Sequence, residues 1–257
     1  MDAKDWLKQE KMLFPETEWN LPEQKMGKLT IVGGNKGAFS NEVRVAEYAL
    51  QKLRFSEIEL CFPESVRANL PAGMPNVIFG EATNAGSFLE FPRIKTDFVL
   101  YLGDFTKNAE TKKTLDNKIK NETTPFILTR DAVETASAES YLENEKATIV
   151  ASLAQVQKIF KEVYYPKMIM LSAPILPVVE ALHKFTLSYK ITLVTFHEGL
   201  VLVAKNGKIA STAISKTGYS PLSLWGGQLA AKIAMYQYFN PGKALEASAS
   251  AVIGGEK

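Results

Sequence analysis

The sequence predicts an α/β fold of three layers: a mostly parallel central sheet, helices on both faces and a β-meander near the C-terminal end. Three observations carry that prediction. Apolar runs of strand length recur at Leu29–Val32, Ile58–Phe62, Val77–Phe79, Phe98–Leu102, Phe126–Leu128, Thr148–Ala151 and Ile191–Phe196. Mostly apolar runs of this kind suit strands buried on both faces. Several are followed by stretches with helical spacing, the rhythm of strand–helix–strand crossovers. The rhythm breaks over 191–213, where ITLVTFHEG, LVLVAKNGK and KIASTA read as consecutive strands, with Asn206-Gly207 as a hairpin turn.

In chain order, residues 1–26 are expected to form an arm on a single α/β domain of residues 27–257. Asp5–Leu13 reads as a short helix, and Pro15 and Pro22 break any helix beyond it. Trp6, Phe14 and Trp19 are large apolar anchors that either cover the main domain or meet a second copy of the chain, as in a homo-oligomer. After the strand at Leu29–Val32 comes a glycine-rich turn, Gly33-Gly34-Asn35-Lys36-Gly37, then a helix with Val43, Ala46, Leu50 and Leu53 on its apolar face. Leu153, Val156, Ile159 and Phe160 mark another such helix. Leu222–Phe239 reads as a long helix with Leu222, Trp225, Leu229, Ile233 and Tyr236 on one face, stopped by Asn240-Pro241-Gly242. A second, alanine-rich helix is expected over Pro241–Val252.

Composition narrows the function classes. The 257 residues are 46% apolar and 23% charged, ordinary for a globular protein. A net charge of +2 gives no reason to expect nucleic acid or an anionic membrane as partner. No uncharged apolar run is long enough for a bilayer, and the charges along the N-terminal residues do not suit a secretory signal. Cys61 is the single cysteine, so a reducing, cytoplasmic setting is expected. Two histidines and one cysteine make a poor zinc set.

Five stretches could carry chemistry. The Gly33–Gly37 turn matches neither the P-loop nor the dinucleotide fingerprint. It sits where ligands bind in open α/β sheets, beyond a strand's carboxyl end. There it should leave backbone amides free for an anion, with Asn35 and Ser40 as polar contacts. Otherwise it is a tight strand-to-helix connection. Gly103-Asp104 follows a buried strand, where Asp104 would orient a polar ligand or favour a helix N-terminus. Asp131, beside Arg130 and just past a strand, would bind a hydroxyl, move a proton as the candidate catalytic group, or cap a helix. His197 and Glu198 form a strand-to-strand turn; neighbours on a strand point to opposite faces, so they read as solvated turn residues. Thr217 and Gly218 lead to Gly226-Gly227, glycines that would admit a ligand to a helix N-terminus or allow close helix–sheet packing.

The order of these features resembles the ribokinase-like fold, and most of all the ADP/ATP-dependent NAD(P)H-hydrate dehydratases. The resemblance rests on KLTIVGGN, CFPESV, LYLGD, ILTRDAVE, VTFHEGLVLVAKNGKIAS, GGQLAAKIA and NPGKALEASASAV, and covers about residues 27–253. It implies binding of ATP or ADP with magnesium, and dehydration of hydrated NAD(P)H through phosphorylation and elimination of the ring hydroxyl. It would place Gly33, Gly34, Asn35, Ser40, Gly103 and Asp104 on the substrate side, with Asp131 nearby. It would place His197, Gly218, Gly226 and Gly227 on the nucleotide side. The chain departs from the pattern at the chemistry. The family's anion loop, TGGxGD, ends in the catalytic aspartate, yet no acid occurs between Lys216 and Phe239. The family's histidine-proline-glycine-glutamate turn stands here as Ser152-Leu153-Ala154-Gln155. Losing an acid–base group costs a factor of roughly a hundred to ten thousand in rate. The expectation is therefore a protein of that fold with weak or lost catalysis, or a non-catalytic descendant that binds a nucleotide or a protein partner.

Overall fold

The computed structural model describes residues 3–70, 76–82, 88–90, 95–167, 169–217 and 225–253. Its strands are β1 (Trp6–Gln9), β2 (Lys28–Gly33), β3 (Glu57–Pro63), β4 (Val77–Ala82), β5 (Phe88–Glu90), β6 (Phe98–Gly103), β7 (Phe126–Thr129), β8 (Ala147–Val150), β9 (Thr192–His197), β10 (Leu200–Lys205) and β11 (Lys208–Ala213). They form one sheet in the order β1-β11-β10-β9-β8-β7-β6-β2-β3-β4-β5. From β4 through β2 to β9 every pairing is parallel. The chain leaves β2 toward β3 and β4, returns to β6 on the other side of β2, and continues outward through β7, β8 and β9. The order therefore reverses between β2 and β6, the place where open α/β sheets form a crevice at their carboxyl ends.

Both faces of the sheet are apolar because successive residues of each parallel strand point to opposite sides. Leu29, Ile31, Leu100 and Leu102 pack on one side against α2 (Ser40–Lys52), α7 (Gln228–Phe239) and α8 (Ala244–Ile253). On the other side Val32, Val99, Tyr101 and Leu128 pack against α3 (Ala109–Lys120), α4 (Ala132–Thr135), α5 (Leu153–Glu162) and α6 (Ile175–Ser188). Helix α5 starts in a full capping box, with Ser152 accepting from the Gln155 amide and the Gln155 side chain accepting from the Ser152 amide. Strands β9, β10 and β11 make the expected meander, antiparallel throughout. Its hairpin turn has positive φ at Asn206 (49°) and Gly207 (72°), which is what a two-residue turn between twisted strands needs.

Three expectations are corrected. Asp5–Leu13 is not a helix: Trp6–Gln9 is β1, parallel to β11, with Trp6 opposite Ile209 and its indole donating to Ser211 Oγ at 2.9 Å. Trp6 and Phe14 thus cover the two cores, and a short helix α1 (Pro15–Trp19) follows directly after Phe14; Trp19 is 77% exposed. The buried stripe of α2 is Glu42, Val45, Ala46 and Ala49, while Leu50 faces outward. A carboxylate thus takes the place where an apolar residue was expected. The long closing helix is described from Gln228, and Leu229 to Tyr236 are buried all round rather than on one face, since α7 is wedged between the sheet, α2 and α8. The first residues of that element, 222–224, and the preceding loop residue Gly218 lie outside the described residues. No described helix is long and apolar enough to cross a membrane.

Candidate functional site

The carboxyl ends of β2, β6 and β7 meet at the crevice, and each ends in a turn that the sequence singled out. Gly33 faces Gly103 across a register shift, and the Gly34 amide donates to the Gly103 carbonyl at 2.8 Å. The Asn35 side chain donates to the Asp104 carbonyl at 2.6 Å and accepts from the Gly37 amide at 2.8 Å. Asn35 and Ala38 exchange backbone hydrogen bonds of 2.7 and 3.1 Å. The amides of Gly34, Asn35, Gly37 and Ala38 are thus all engaged within the protein. The turn does not present the row of free donors that an anion would use. Ser40 is exposed at the start of α2 and takes no part in this network.

Beyond Gly103 (φ +112°) the charged residues converge. Asp104 and Arg130 both sit in left-handed backbone (φ +55° each), a conformation that costs about 1 kcal/mol or more for a non-glycine residue and persists where surrounding contacts hold it. They pair with each other: Arg130 Nη2 donates to both Asp104 carboxylate oxygens, at 3.2 and 3.1 Å. Arg130 Nη1 reaches the Trp225 carbonyl at 3.5 Å, so the guanidinium spans from β6 toward the start of α7. The Asp131 carboxylate accepts the Asp104 amide at 2.6 Å. Asp131 holds the N-cap position of α4, yet its side chain caps nothing there. Asp104 caps no helix either, since α3 is capped by Asn108 accepting from the Thr111 amide.

Glu42 completes the cluster from α2. It is fully buried, and neither carboxylate oxygen has a hydrogen-bond partner. Burial, and then the negative charge of Asp104, push its carboxyl from an ordinary 4.5 up to about 8. Glu42 is therefore mostly neutral at pH 7. Burial also pushes Asp131 up, opposed by the Asp104 amide and the charge of Arg130. Glu42 is hidden in the sequence because a helical stripe is counted by its apolar members. Its spacing of three, four and seven residues from Val45, Ala46 and Ala49 is the signal that could reveal it.

The glycines of the site show what fills its space. A β-carbon at Gly103 would lie 2.0 Å from Asp131 Oδ1 and 2.8 Å from the Ala132 amide nitrogen. At Gly33 it would lie 2.6 Å from the Gly103 carbonyl and 2.7 Å from Glu42 Oε1. Gly34 abuts Phe62 at 2.9 Å, and Gly227, in the left-handed N-cap of α7, abuts Leu102 at 2.4 Å. The space these glycines leave is taken by the protein's own atoms. Gly227 in particular serves close helix–sheet packing. Gly226 lies just before it, and His197 ends β9, two strands away from β7 in the sheet. His197 is not a solvated turn residue: it is buried, and its Nε2 donates to the Ala173 carbonyl at 2.6 Å. His197 is thus outside the charged cluster.

The carboxylates do not fit a divalent cation as arranged. Asp104 is paired with Arg130, Asp131 holds an amide, and Glu42 is held neutral. Among the described residues no group of three or more His, Cys, Asp or Glu is placed to hold a metal.

No known family's sequence profile and no curated protein sequence matches the chain. Solved structures do match in fold. A ribokinase-like superfamily protein from Enterococcus faecalis V583 aligns over 98% of this chain and 87% of its own, at 11% identity and a TM-score of 0.64. The ADP/ATP-dependent NAD(P)H-hydrate dehydratase of Bacillus subtilis, co-crystallized with ATP/Mg2+ and soaked with CoA, aligns over 93% and 84%, at 12% identity and a TM-score of 0.62. A Bacillus subtilis pyridoxal kinase in an ADP complex aligns over 88% and 89%, at 11% identity and a TM-score of 0.51. The fold of this chain is ribokinase-like.

Proposed function

We propose that this chain is a ribokinase-like protein that works by binding rather than by phosphoryl transfer or dehydration. The observation that carries the reading is that the charged groups described at the switch-point crevice engage one another. Asp131 and Glu42 occupy the space that Gly103 and Gly33 leave, and Arg130 locks Asp104. A general base needs a free lone pair within reach of its substrate. Asp131 has a carboxyl raised in the useful direction, and with Oδ1 engaged by the Asp104 amide a substrate would have to reach Oδ2. Glu42 is neutral and enclosed. The region from Lys216 to Phe239 offers no acid in compensation.

On this reading an adenine nucleotide binds at the carboxyl edge weakly or not at all, and hydrated NADH is turned over far more slowly than by a working dehydratase. The fold relatives solved with ATP/Mg2+ and with ADP make those ligands the right ones to try. The test is a spectrophotometric assay of hydrated NADH with ATP or ADP and magnesium, on pure protein. The expected result is a rate near the uncatalysed one. Rapid ATP-dependent conversion that disappears in Asp131→Asn would overturn the proposal and make Asp131 the catalytic acid–base group.

A further inference from the structure

The opposite edge of the sheet holds a cavity of about 770 Å3, within the size range of small-molecule sites. It opens where β7, β8 and β9 begin and where the Asn206-Gly207 hairpin turns, and it runs to the start of α8. Four lysines line it: Lys146, Lys190, Lys205 and Lys208. They come from three separate connections of the fold and converge on one space.

Lys205 is the informative one. Its ammonium donates to the Glu145 carbonyl at 2.9 Å and to the Lys190 carbonyl at 2.5 Å. An ammonium has three donors, so one remains. Two neutral carbonyls fix the position of the charge but do not balance it. Among the described residues, no carboxylate comes within ion-pair range of any of the four lysines. Burial lowers the Lys205 pKa, opposed by the negative charge of Glu145, which lies outside ion-pair range. Lys146 is exposed beside the cavity, its ammonium donating to the Thr123 carbonyl.

The remaining wall is mixed, with Pro125, Tyr238, Pro241 and Leu245 among its apolar members. Thr148 and Gln237 hydrogen-bond to each other, and Gln237 also donates to Ser248 at 2.9 Å. The first turn of α8 borders the cavity at Ala244 and Leu245, where helix amides point outward. Acidic groups are present too. The Asp97 carboxylate accepts the Lys28 amide at 2.9 Å, while Glu145 and Glu246 stand on the rim. Rim acids beside a lysine wall suit a ligand that carries hydroxyl donors as well as an anion.

We infer that this amino-edge cavity is a binding site for a phosphate ester of a hydroxylated small molecule, with Lys205 and Lys208 on the phosphate. The site is separate from the carboxyl-edge crevice and does not depend on whether that crevice is active.

The test is isothermal titration calorimetry with ribose 5-phosphate, ADP and inorganic phosphate, on wild type, Lys190→Gln/Lys208→Gln, Lys205→Gln and Asp131→Asn. Binding of at least one probe is expected, weakened about tenfold in each lysine variant, as loss of a charge-assisted contact gives. Asp131→Asn should bind as wild type does. Tighter binding of ribose 5-phosphate or ADP than of inorganic phosphate supports an ester with its hydroxyls engaged. Absence of binding for all three probes overturns the inference, as does affinity indifferent to the exposed lysine pair or lost equally in Asp131→Asn. Because Lys190 and Lys208 are exposed, their double variant should fold normally, which a melting curve checks.

Discussion

The two edges of the same sheet are built on opposite principles. At the carboxyl edge the described charges are largely answered from within: Arg130 by Asp104 (its Nε excepted), Asp131 by the Asp104 amide, and Glu42 by giving up its charge. Its glycines are pressed against side chains and carbonyls. At the amino edge the lysines find no carboxylate partner among the described residues, and Gly242 has nothing within 4 Å of where a β-carbon would stand. The edges are a strand length apart, about 20 Å for six residues. The difference teaches that position at a switch point does not by itself make a binding site. What matters is whether space and charge are left unfilled.

The contrast can be broken or sharpened by substitution. The largest effect is expected from Gly103→Ala, which combines a φ of +112° with a 2.0 Å clash, and should cost about 4 kcal/mol in denaturant unfolding. Glu42→Gln should act with the opposite sign. The folded-state carboxyl is raised to about 8 from 4.5, so its contribution to stability is complete below pH 4.5 and is lost as pH rises toward 8. The glutamine does not titrate, so the variant should gain on wild type at pH 8, by up to about 4 kcal/mol, and little at pH 4.5. Urea melts at the two pH values read this directly; parallel pH profiles would show that Glu42 is not the strained acid. Arg130→Gln leaves Asp104 and Asp131 facing each other without a cation, and should cost about 2 kcal/mol by the same melts. Gly242→Ala at the amino edge is the matched control for Gly103. It meets no atom, so only its φ of +80° opposes it, at about 1 kcal/mol. Lys208→Gln should move stability by less than about 0.5 kcal/mol, since the residue is exposed and unpaired among the described residues.

Local signals were legible in the sequence. Runs such as Leu29–Val32 and Phe98–Leu102 are apolar on both faces, and Asn206-Gly207 has the backbone freedom its hairpin uses. The switch-point residues Gly33, Asn35, Gly103, Asp104 and Asp131 were legible as a set because each ends or follows a strand. Their mutual engagement was not, because it depends on which strands are neighbours. Glu42 was missed for its chemical type: a carboxylate is counted as surface until a helix turns it inward. The first strand was missed for its range, since WLKQ has no strand pattern of its own and is held by β11, some two hundred residues later. The lysine-lined cavity has the same cause. Lys146, Lys190 and Lys205 become neighbours only when β8 and the meander are assembled.

The pairing of β1 with β11 also sets an order of assembly. Trp6 can meet Ile209 only after almost all the other strands have been synthesised, so the earliest strand of this sheet is among the last to dock. Until it docks, β11 presents an open strand edge, with Ile209 and Ala210 in their ladder positions, a template for another nascent chain. Its cover is a four-residue strand that carries Lys8. Shortness and a lysine make a poor template for further pairing. Those few residues act as a late-closing latch, and deleting them should show first as aggregation during expression.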